Sequence, residues 1–132
     1  MEIWNKLSPA GDDAELLHVA TYLPLKGWRH VIPFLAMSMR IEKQLKHSSG
    51  VVSYGLRAKV ANRHFWTLSI WTDRKRMNEF INSEPHRTAV KRFAQWAGRG
   101  AAFAEWAAVD DQDAIWTTAL EKLKNPTFYY QG

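Results

Sequence analysis

The sequence predicts an α+β fold in the order β-α-β-β-α-β, with one more helix at the C-terminal end, and three observations carry that prediction. The stretch His64 to Trp71 has a period of two. Trp66, Leu68 and Ile70 form an apolar row, while Phe65, Thr67, Ser69 and Trp71 form a row of rings bracketing two hydroxyls. Successive side chains of a strand point to opposite faces, so these rows belong to opposite sides of a sheet. The segment just upstream, Val51 to Lys59, also reads as a strand, and only a short turn around Ala61-Asn62-Arg63 separates the two. That closeness predicts an antiparallel hairpin. Finally, apolar residues recur at spacings of three and four from about Val31 to His47 and again after Thr72, as in helices that bury one face.

In chain order, residues 1–15 read as an irregular lead-in with Pro9, Gly11 and two aspartates. Leu16 to Leu23 is the first strand, rich in β-formers and stopped by Pro24. Leu17, Val19, Thr21 and Leu23 make one of its rows; Leu16, His18, Ala20 and Tyr22 make the other. Lys26 to His30 is a connector. The first long helix runs from about Val31 to His47, with Pro33 in its first turn and Phe34, Met37, Ile41 and Leu45 as one stripe. Lys43, Lys46 and His47 suit the C-terminal end of its dipole, and Gly50 lies just past the stop.

After the hairpin, Thr72 or Asp73 caps a helix whose Met77, Phe80 and Ile81 face inward. Asn82-Ser83-Glu84-Pro85 interrupts it, and Ser83 is the expected N-cap of a second piece reaching about Ala97, with Ala89, Phe93 and Trp96 as its apolar side. Gly98 and Gly100 end that piece. Ala101 to Val109 is the fourth strand. Asp110 or Asp111 caps a last helix to about Lys124, with Trp116, Leu120 and Leu123 on one stripe, and an aromatic tail follows Pro126. The chain is one domain, with its core over residues 16–109 and the last helix and tail over 110–132.

This order is the ferredoxin-like split βαβ arrangement, a four-stranded antiparallel sheet with its helices on one face. The uncovered face would carry Phe65 and Trp71, at about 25 cal/mol for each Å² of apolar surface left in water. Two such sheets packing face to face would cover both rings, so a homodimer, a dimeric α/β barrel, is expected.

Composition narrows the function classes. The chain holds no cysteine, which removes disulfides, thiolate metal sites and a Cys nucleophile. A net charge of +5 raises the question of nucleic acid, but the basic residues are dispersed over a presumed solvated helix face among acids. No nucleic-acid partner is expected. No run is long enough for a membrane span and the first residues lack a signal-peptide core, so the expected setting is cytoplasmic. No glycine-rich phosphate loop, His-Glu-x-x-His helix or Gly-x-Ser-x-Gly elbow is present.

The stretch FWTLSIW followed by TDRKRMNEFINSEPHRTAV resembles the dimeric α+β barrel superfamily, over roughly residues 16–109. The shared features are a strand ending in Trp, an acid soon after it, an aromatic in mid-helix and a Ser-x-x-His break. Antibiotic-biosynthesis monooxygenases, haem-degrading monooxygenases and spheroidene monooxygenase belong to that superfamily. The resemblance implies a cavity between the sheet and the helices, with Trp71 matching the strand-end Trp that contacts ligand in the haem-degrading members. Tyr22 stands where those enzymes place an Asn. Their proximal haem histidine falls at Val90, a departure that argues against haem degradation of that kind, although His86 lies one helical turn earlier on the same face.

His86 is the main catalytic candidate, because an imidazole with an ordinary pKa near 6.5 suits acid–base work. The alternative is a ring packed under the helix and bonded to a backbone carbonyl. Tyr22, Thr67 and Ser69 could bind an oxygen-bearing substrate, or the hydroxyls could satisfy one another. His18, in the row of Tyr22, is a second base or a strand residue without a role. Arg57 could anchor an anion, or pair with Glu105. Phe65 and Trp71 would form the apolar wall of the substrate site, with Val90 on its helical side. The expected function is a monooxygenase-like enzyme acting on a small apolar or aromatic molecule, with no cofactor, or with haem on His86. The alternative is a non-catalytic binding or assembly module of the same fold.

Overall fold

A computed structural model describes residues 2–7, 15–109 and 115–131. Its elements are β1 (Glu2–Lys6), β2 (Glu15–Pro24), α1 (Val31–Lys46), β3 (Val51–Lys59), β4 (His64–Trp71), α2 (Arg74–Ile81), α3 (His86–Trp96), β5 (Ala102–Val109), α4 (Ile115–Lys122) and β6 (Phe128–Tyr129). The sheet has six strands in the order β1-β3-β4-β2-β5-β6, and every neighbouring pair is antiparallel. The inner four stand in the ferredoxin-like order. Two outer strands correct the expectation of four: β1 occupies part of what reads as lead-in, and β6 pairs two residues of the tail with Ala102 and Phe103. β1 forms because Gly55 leaves room for the Trp4 ring; a Cβ there would collide with it.

Local chemistry sets most of the remaining boundaries. The β3–β4 hairpin closes through a 3-10 turn over Val60–Asn62, with Arg63 in the left-handed region at φ 58°. Gly50, at φ 87°, makes the exit from α1 that a residue with a side chain would resist. Asp73 caps α2, its carboxylate accepting from the Arg76 N–H at 2.9 Å. Ser83 does not cap α3, because its hydroxyl donates back to the Glu79 carbonyl at 2.6 Å. A distant residue takes over. The Gln44 amide on α1 donates to the carbonyls of Phe80 (3.0 Å) and Ser83 (3.3 Å), and its oxygen accepts from the His86 N–H (3.1 Å). The expected caps at Asp110 or Asp111, and most of the lead-in, lie outside the described residues.

The two rows of β4 face the other way round from expectation. Phe65 packs under α1 and α3 against Phe34, Met37 and Trp96, and Trp71 packs under α1 and α2 against Leu45, Met77 and Phe80. Both are sealed by the chain's own helices, at 0% and 1% exposure, so no second copy is needed to shield them. The apolar row, Leu68 and Ile70 with Leu16, Ala20 and Val52, lies on the opposite face under Ile115, Trp116 and Ala119 of α4. Helices therefore cover both faces, three on one and one on the other. The partners account for it: Phe65 and Trp71 meet the rings and long apolar side chains of three helices, Phe34, Met37, Trp96, Leu45, Met77 and Phe80, whereas Leu68 and Ile70 meet Ile115, Trp116 and Ala119. No helix among the described residues is long and apolar enough to cross a membrane.

Candidate functional site

On the face beneath α1, α2 and α3, a run of contacting groups leads from a helix start to the centre of the sheet. The His86 ring packs on Phe80 with centroids 4.9 Å apart, and Phe80 packs on Trp71 at 5.2 Å. The Trp71 indole N–H donates to the Ser69 hydroxyl at 2.9 Å. Two residues along β4, on the same face, the Thr67 hydroxyl bonds to that of Thr21, its register partner on β2. Thr21, Thr67 and Ser69 are each half-buried, so three hydroxyls border an incompletely covered part of an otherwise apolar layer.

His86 is the unusual member. Its Nδ1 is buried and has no hydrogen-bond partner. Burial pushes its pKa below the ordinary value, against an opposing pull from the Ile81 backbone carbonyl. The ring is therefore neutral near pH 7, the state in which an imidazole accepts a proton.

The other predicted residues do not join this group. Tyr22 lies on the opposite face, stacked on Trp66 at 5.3 Å and edge-on to His64 at 5.5 Å, and burial raises its pKa. It cannot act with Thr67 and Ser69, from which the sheet itself separates it. His18 is on that same far face, 2% exposed, with Nδ1 3.0 Å from the Leu16 carbonyl oxygen and its ring stacked on Trp106. Arg57 pairs with Glu2 at 3.2 Å, not with Glu105, and lies over the Trp116 ring at 5.0 Å. Val90 is 53% exposed on the outside of α3. Phe65 backs the layer from within the core rather than lining an opening.

Sequence reasoning missed Thr21 and the Arg74–Glu105 pair. Thr21 was detectable as the Thr facing Thr67 once the strands are paired. Glu105 is a register partner of Val19, which itself pairs with Ser69, so the carboxylate shares the row of the hydroxyls. Arg74 of α2 reaches it at 2.7 Å. Tyr54 is also on this face, but its hydroxyl is engaged by Asn5 and Glu42, and burial pushes its pKa up to about 12.

Two open depressions, of about 680 and 750 Å³, lie farther out, one beside Gln44, Phe80 and Pro85 and one on the outer side of α2. Neither touches the three hydroxyls. No group of three or more His, Asp or Glu among the described residues could hold a metal ion. The residues also do not fit the haem site that the resemblance implies: Val90, at the position of the proximal histidine, supplies no ligating atom and lies exposed on α3.

No family model and no curated protein matches the chain, whereas solved structures do. A conserved protein from Methanosarcina mazei Go1 superposes with a TM-score of 0.61 at 13% identity, over 70% of this chain and 91% of its own. An antibiotic biosynthesis monooxygenase does so at 0.62 and 16%, over 71% and 99%. A variant of SnoaB, a cofactor-independent oxygenase from Streptomyces nogalater, does so at 0.60 and 12%, over 74% and 97%. At such identities the likeness establishes the fold alone, an α+β protomer with a ferredoxin-like inner sheet.

Proposed function

We propose that the chain is a monooxygenase-like enzyme that takes a small apolar or aromatic substrate on the helix-covered face of its sheet and uses no cofactor. The observation that carries this reading is the contact run from a neutral, half-buried His86 through Phe80 and Trp71 to the half-buried hydroxyls of Ser69, Thr67 and Thr21. Neighbours of the same fold that are oxygenases support it.

In this mechanism His86 takes a proton from an acidic C–H or O–H of an electron-rich substrate. Ser69 accepts from the Trp71 indole, so its own O–H is free to donate to the enolate oxygen that forms. The carbanion then supplies electrons to O2. A methylene carbon loses two hydrogens and gains one oxygen atom as a carbonyl. The second oxygen leaves as water with those hydrogens, and all four electrons come from the substrate. The partner in solution would be a second copy, packing where Tyr22, His64 and Trp66 stack on the opposite face.

Oxygen uptake with electron-rich polycyclic phenols tests the reaction. His86→Gln should lower the rate by about 100-fold or more, and Thr67→Val should lower kcat at unchanged fold. Uptake equal in wild type and His86→Gln would refute the role. The second reading, a non-catalytic binding module, is favoured by Phe65 and Trp71 being packed by the protein's own rings. Saturable binding of the same phenols without oxygen uptake would establish it.

A further inference from the structure

Ile32 and Met39 are the most exposed large apolar side chains among the described residues, at 76% and 73%, and Trp28 follows at 56%. They are aligned. Ile32, Ala36 and Met39 recur at spacings of four and three on one line of α1, and Trp28 stands one turn ahead in a 3-10 turn. This line is opposite the Phe34, Met37, Ile41 and Leu45 stripe that packs on the sheet. Cations surround it: Arg29, Arg40 and Lys43 are exposed along α1 and its approach, and α3, on the same face of the sheet, adds exposed Arg87, Lys91 and Arg92. Of these only Arg87 is in an ion pair, with Glu84, among the described residues.

We infer that this side of the helical layer docks on an anionic lipid bilayer, with α1 lying in the interface. Ile32 and Met39 enter the boundary of the acyl chains and the cations meet the headgroups, the division of labour of an interfacial amphipathic helix. Charge complementarity selects this occupant. A second copy placed stripe to stripe would set Arg40 and Lys43 against their own duplicates, and the one acid of α1, Glu42, is already paired with Lys46. A nucleic acid would use the cations and leave Ile32 and Met39 in water. The inference rests on the outer surface alone and is independent of the reading of the site.

Co-sedimentation with phosphatidylcholine vesicles, with and without phosphatidylserine, tests it. The full chain should pellet only with the anionic vesicles, and less as salt rises. Arg40→Ala and Lys43→Ala should each lower the partition coefficient about fivefold, and the paired substitutions Ile32→Glu and Met39→Glu should abolish pelleting. Sedimentation velocity and far-UV circular dichroism of the same variants establish that the fold is kept. Absence of pelleting, or equal pelleting with both lipids or with the Glu variant, overturns the proposal. So does retention of duplex DNA in place of vesicles, or a loss of mass in the Glu variant that shows the stripe covering a second copy.

Discussion

His86 makes a pH signature specific to one residue. Burial disfavours its cation, so the unfolded chain holds the proton more tightly than the folded one. Its contribution to stability is therefore complete above the ordinary pKa of 6.5 and is lost as pH falls from there toward the lower folded-state value. Wild type should lose more stability than His86→Phe between about pH 7 and about pH 5, read as urea midpoints. Equal losses would mean the ring is solvated. Phe65, fully buried against Phe34 with ring centroids 4.6 Å apart, should cost about 3–5 kcal/mol when cut to Ala. Val90→Ala, on the exposed side of α3, should stay within about 0.5 kcal/mol in the same titration. The side-chain types at the site were legible from the sequence. Their grouping was not, because Tyr22 and Thr67 are separated by a sheet face that only strand pairing assigns.

At the scale of elements, the two helix starts after β4 are held by different means. Asp73 is a local cap, and Asp73→Ala should cost about 1 kcal/mol. α3 begins without a side-chain cap and depends on Gln44, forty-two residues away from His86 in sequence. Gln44→Ala should cost about 1–3 kcal/mol, because it strips partners from two carbonyls and one N–H at once. Chemical denaturation separates the two cases, and a Gln44→Ala cost no greater than a surface substitution would show that water replaces the amide. Asp73 was readable from sequence because a cap acts within four residues. Gln44 was not, since nothing local distinguishes it from any polar residue on a helix. The same limit hid β1 and β6, five and two residues long, which exist only through the edges they pair with.

At the scale of the molecule, α4 covers one end of the face opposite α1, α2 and α3, and leaves Tyr22, His64 and Trp66 half-buried at the other. If a second copy packs there, Trp66→Glu should turn a dimer into a monomer in sedimentation velocity, with the far-UV spectrum kept. An unchanged mass would refute that interface. The period-two rows of β2 and β4, the helical stripes and the hairpin spacing by themselves determined the α+β class, the β3–β4 hairpin and which residues within one strand share a face. Those are consequences of backbone geometry repeating every two or 3.6 residues. Only the tertiary structure decided that Phe65 and Trp71 lie beneath the three-helix layer while Leu68 and Ile70 lie beneath α4. Periodicity records that two faces differ, but which face a helix covers depends on the areas that distant segments can bury together.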